Sequence, residues 1–74
     1  PKPHPETYIQ AAAKLGVSPA DCLAFEDSPA GVESALTAGM QVFALVTTHT
    51  REEISRASAV FEGFDQLQLE NLAP

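Results

Sequence analysis

The chain has 74 residues, 45% of them hydrophobic, with one cysteine and a formal charge of -6. Chains this short bury only about 60% of the surface their unfolded form exposes, and one cysteine allows neither an internal disulfide nor a zinc cage. Ten carboxylates against Lys2, Lys14, Arg51 and Arg56 repel phosphate backbones and anionic lipid surfaces, which argues against a nucleic-acid or membrane partner.

Residues 5–15 predict a helix. Pro5 suits the first helical position, where its missing N–H costs nothing. Ile9, Ala12 and Ala13 share a face at helical spacing, and Gly16 is placed to end the helix. A polar link, Ser18-Pro19-Ala20-Asp21, leads to Cys22-Leu23-Ala24-Phe25, a short apolar run suited to a strand buried on both faces. Ser28 and Pro29 punctuate the start of a second helix, Val32, Ala35 and Leu36 form its inward stripe, and Gly39 closes it.

Residues 41–46 read as another buried strand, rich in β-branched and aromatic side chains. Thr50-Arg51-Glu52-Glu53 fits a capping box, which predicts a third helix from Thr50. Ala59-Val60-Phe61 suits a third short strand, and Phe64, Leu67, Leu69 and Leu72 suit a final short helix over 64–72. Strands alternating with helices define an α/β class built on β-α-β units and a parallel sheet. So few strands leave edges and faces uncovered, so further strands are expected upstream in a longer protein. The chain begins at Pro1 rather than Met, and residues 1–74 are expected to be a carboxy-terminal fragment of one larger domain.

Open parallel sheets bind ligands beyond the carboxyl ends of their strands. Glu26-Asp27 falls at such an end, after an apolar strand and before a helix. Adjacent carboxylates repel unless a cation or a donor stands nearby. Magnesium meets that need, because it prefers oxygen ligands and often takes one or two protein carboxylates. Alternatively, Asp27 or Ser28 only caps the helix, where such residues are favoured anyway.

Lys2-Pro3-His4-Pro5-Glu6, Cys22-Leu23-Ala24-Phe25-Glu26-Asp27-Ser28, Gly31-Val32, Ala35 and Ala38-Gly39-Met40 together resemble the later motifs of the haloacid dehalogenase-like (HAD-like) superfamily. The likeness is to its β-phosphoglucomutase and phosphoglycolate phosphatase branch in particular. It implies the carboxy-terminal portion of a Rossmann-like parallel sheet with flanking helices. It also implies a Mg2+-dependent phosphatase for small phosphorylated metabolites, working through an aspartyl-phosphate.

By the same resemblance, Asp27 is a direct metal ligand and Glu26 binds the ion directly or through water. Lys2 is the catalytic cation that neutralises the nucleophile and the transferring phosphoryl group. Ser28 and His49 are weaker candidates for substrate contact. Ser28 reads first as a helix cap, and His49 follows the second strand on the ligand side.

The family's Asp-x-Asp nucleophile motif is not among these residues, whose only aspartates are Asp21, Asp27 and Asp65. The segment alone is therefore expected to be inactive, with nucleophile and cap supplied by the rest of its own chain. A phosphosugar mutase would share every motif present, and a degenerate regulatory domain would keep the fold without needing the acidic pair. No apolar run approaches the roughly 18 residues of a membrane span, no signal-peptide pattern opens the chain, and Cys22 in its apolar run suits a reducing, cytoplasmic setting.

Overall fold

The computed structural model describes residues 4–63, so Lys2 and the helix expected over 64–72 lie outside the described residues. Helix α1 (Glu6–Leu15) follows Pro5 directly, and Gly16 ends it at φ 73 with its N–H turned back to the carbonyls of Ala12 and Ala13. Only glycine takes that left-handed conformation without cost. The inward face differs from the expected one. Ala12 is buried and Tyr8 packs against the core one turn earlier, while Ile9 and Ala13 are exposed. Three consecutive alanines carry no directional signal, so the large ring of Tyr8 settles which side turns inward.

A 3-10 turn (Pro19–Asp21), capped by the Ser18 hydroxyl, leads into strand β1 (Leu23–Glu26). Helix α2 (Pro29–Thr37) follows, with Ser28 as its N-cap and Pro29 at its first position. Gly39, at φ 93, reverses the chain into strand β2 (Gln41–Leu45), and strand β3 (Ala59–Phe61) closes the described sheet. The strands are parallel in the order β1-β2-β3. Ala24 lies beside Val42, Glu26 beside Ala44, and Ala44 beside Val60. Chain order and register together make β1-α2-β2 a parallel crossover unit, as the alternating pattern predicts.

The core lies on one side of this sheet. Ala24, Val42 and Ala44 meet Val32 and Ala35 of α2, Ala12 of α1, and Met40 and Ile54 from the connections. Alanine dominates this layer, which lets α2 sit close to the strands. On the opposite face Leu23 is 40% and Phe25 50% exposed. Phe25, Phe43 and Phe61 form a row across the three strands, with ring centroids 5.9 Å and 5.3 Å apart. Leu45 is the buried side chain on that face, so the expectation of strands buried on both faces is met on one face and only at this end of β2 on the other, among the described residues.

The segment after Thr50 also differs from expectation. The capping box forms in both directions: the Thr50 N–H donates to Glu53 Oε1 at 2.8 Å, and the Glu53 N–H donates to Thr50 Oγ1 at 3.2 Å. No α-helix follows it. Residues 51–56 make successive turns, with the Glu53, Ser55 and Ala57 N–H groups bonded to carbonyls three residues back. The reason is what comes next. Ile54 is wholly buried, and Ser58 must reach β2, where its N–H donates to the Val42 carbonyl and its hydroxyl accepts from the Val42 N–H. A regular helix would carry the chain past both anchors, and Ser55 and Ser58 favour turns over helix interiors.

Candidate metal and phosphate site

Parallel pairing puts the carboxyl ends of β1 and β2 side by side, and the acidic pair stands there. Glu26 is the last residue of β1 and Asp27 the next; Ser28 is extended at φ -130, ψ 153 and starts α2. From the neighbouring strand comes Thr47, two residues beyond β2, whose hydroxyl donates to Asp27 Oδ2 at 3.0 Å. Phe25, Glu26, Asp27, Leu45 and Thr47 line a depression of about 270 Å³.

Two features set the electrostatics. Partial burial, then the adjacent charge of Asp27, push the Glu26 carboxyl above its ordinary pKa. Both effects penalise a second negative charge at this corner. Gly31 gives Glu26 its room, because the carboxylate occupies the space that a side chain there would fill. A β-carbon at Gly31 would overlap Glu26 Oε1 and crowd Ser28 Oγ.

Oxygen donors at a strand end, a carboxylate that burial and then its neighbour make reluctant to ionise, and a second carboxylate aligned by a hydroxyl suit a hard divalent cation. Among the described residues no three His, Cys, Asp or Glu side chains converge, so Glu26 and Asp27 could supply only part of such an ion's coordination.

The structure brings Glu26 and Asp27 together and does not bring His49 to them. His49 is not among the residues lining the depression; its Nδ1 lies 3.4 Å from Glu53 Oε1, on the capping box. The Ser28 hydroxyl is engaged as the cap of α2, accepting from the Gly31 N–H at 3.1 Å. Lys2 lies outside the described residues. The residue that sequence reasoning passed over is Thr47. Its only signal is position, just beyond the end of the second parallel strand, where ligand-side residues collect.

A parallel α/β sheet with an acidic pair at its carboxyl edge has the strand-end geometry at which open sheets bind ligands. The haloacid dehalogenase-like hydrolase family model matches residues 1–39. The chain belongs to that family. It is 34% identical over 73 residues to validoxylamine A 7'-phosphate phosphatase of Streptomyces hygroscopicus subsp. limoneus, covering 99% of this chain and 34% of that protein. Among solved structures, β-phosphoglucomutase from Clostridium difficile superposes at a TM-score of 0.83 with 31% identity, covering 95% of this chain and 30% of that one. A mutant of CbbY from Rhodobacter sphaeroides, in complex with xylulose-(1,5)bisphosphate, gives a TM-score of 0.84 with 32% identity, covering 99% and 33%. This chain thus spans about a third of the length of these relatives. No described helix is long and apolar enough to cross a membrane.

Proposed function

We propose that this segment belongs to a Mg2+-dependent cytoplasmic phosphatase for small phosphorylated metabolites that works through an aspartyl-phosphate. The carrying observation is the Glu26-Asp27 pair at the carboxyl edge of the parallel sheet, with Asp27 aligned by Thr47. Bound there, Mg2+ would cancel the repulsion between an anionic nucleophile and an anionic phosphoryl group. Asp27 binds it directly, and Glu26 does so directly or through water. Lys2 neutralises charge on the nucleophile side, and substrate contact by Ser28 or His49 is secondary to their structural roles. The nucleophile and the cap come from the rest of the protein, so the 74-residue segment alone is inactive.

In the longer protein, Asp27→Asn is expected to weaken Mg2+ binding and turnover by at least about 100-fold, since even outer-shell changes cost roughly 10–100-fold. Calorimetric Mg2+ titration and phosphate-ester hydrolysis measure this. Wild-type affinity and rate in that variant would refute the metal role. Lys2→Ala is expected to depress turnover while leaving the melting temperature near that of the wild type.

A second reading, phosphosugar mutase, is favoured by the superposition on β-phosphoglucomutase. Incubation with a sugar monophosphate separates the two: a phosphatase releases inorganic phosphate, and a mutase yields the isomeric sugar phosphate.

A further inference from the structure

Asp27 is the first residue after β1, where the chain leaves the sheet, and no strand pairing holds it. A carboxylate in that position rotates about two side-chain bonds unless something fixes it. Here something does. The hydroxyl of Thr47 donates to Oδ2 at 3.0 Å across a separation of 20 residues in sequence. That bond ties the end of β1 to the end of β2, whose register is set by the Glu26–Ala44 pairing just before it.

We propose that Thr47 is the positioning residue of the metal site: its hydroxyl holds Oδ2 and leaves Oδ1 to the cation. The proposal rests on the reading of Asp27 as a metal ligand. Its chemical consequence is selectivity. Mg2+ demands near-ideal octahedral geometry and takes one oxygen per carboxylate readily, whereas Ca2+ accepts bidentate carboxylates in larger, more flexible shells. A carboxylate with one oxygen already engaged by a hydroxyl offers the single, oriented oxygen that suits the smaller ion. Thr47 therefore favours Mg2+ over Ca2+ as well as strengthening Mg2+ binding. If Thr47 only tied two loops together, its loss would lower stability and leave both ions' affinities unchanged.

The test is titration calorimetry of the longer protein with Mg2+ and, separately, Ca2+, alongside thermal unfolding without metal. Thr47→Val is expected to weaken Mg2+ binding roughly ten-fold, the range found when groups orienting a ligand are removed. Ca2+ binding should weaken less, so the Mg2+/Ca2+ affinity ratio falls. Thr47→Ser, which keeps the hydroxyl, restores both, and Thr47→Ala, which lacks it without the added methyl, behaves as Thr47→Val does. Wild-type Mg2+ affinity in Thr47→Val and Thr47→Ala, with binding lost in Asp27→Asn, would overturn the positioning role and leave Asp27 as a ligand. Unchanged affinity in Asp27→Asn would overturn both.

Discussion

Gly31 joins two demands at one position. It sits in the first turn of α2, where its N–H meets the Ser28 cap, and its missing side chain leaves room for the Glu26 carboxylate. Alanine in a helix is favoured over glycine by about 0.5–1 kcal/mol, yet a β-carbon here would displace Glu26, which can swing away at little cost because its far end is flexible. Gly31→Ala is therefore expected to leave thermal stability unchanged or raised while weakening Mg2+ affinity. A drop in melting temperature with unchanged metal binding would show that the glycine serves only the packing of α2. The place of the acidic pair at a strand end was readable from sequence because its cue is local: an apolar run ends in two carboxylates before a capped helix. That cue serves helix capping as well as a metal and was tipped toward the metal only by the family resemblance. The Thr47 contact was not readable, because it comes from a strand pairing that brings residues 27 and 47 together, and no local pattern encodes it.

The elements divide in the same way. β1, β2, β3 and α2 follow their local signals closely: apolar runs, Ser28-Pro29 at a helix start, and glycine at the reversal before β2. The turn at 50–56 does not, although its capping box forms as the sequence predicts. A box satisfies the donors at a helix start and says nothing about whether a helix continues. Two anchors further along, Ile54 in the core and Ser58 on β2, decide that it stops.

The box should itself respond to pH. The Thr50 N–H, opposed by some desolvation and helped by His49, holds the Glu53 carboxyl below its ordinary pKa of 4.5. A depressed folded-state pKa contributes stability that is present above the unfolded value and lost as pH falls through the folded one. The amide shift of Thr50 is thus expected to titrate with a midpoint below 4.5, and to lose that titration in Glu53→Gln. A midpoint above 4.5 would contradict the bond that defines the box. The anchor behaves differently. Ile54→Ala removes a fully buried side chain, and in the longer protein it is expected to cost about 2–5 kcal/mol, read by denaturant unfolding.

At the scale of the whole molecule, the thinnest dimension is 15 Å, about the depth of one helix layer on one sheet. That geometry explains the uneven fate of the apolar strands. Ala24, Val42 and Ala44, which alternate toward α1 and α2, are buried and Val60 is half-buried. On the opposite face Leu23 and Phe25 are exposed, Phe43 is half-buried and Leu45 alone of the β1 and β2 side chains is buried. Continuous apolar strands in parallel sheets are normally covered on both faces, so sequence alone predicts a second layer, and the described residues contain only the first. The relatives, about three times longer, have the chain length to provide it.

The consequence is a stability effect that depends on context. Phe25 is 50% exposed here and touches Phe43 edge-on, so in the isolated 74-residue chain Phe25→Ala removes only about half of a buried ring and is expected to cost about 1 kcal/mol. In the longer protein, with the second layer in place, the same change is expected to cost about 3–5 kcal/mol, as for a phenylalanine lost from a core. The isolated chain should also bind an apolar dye and self-associate, since exposed apolar patches of this kind drive association, and the longer protein should do neither. Sedimentation velocity and dye fluorescence on both chains decide the matter. A monomeric, dye-silent fragment, or equal losses from Phe25→Ala in the two contexts, would mean that the aromatic face is a finished surface and not half of an interior.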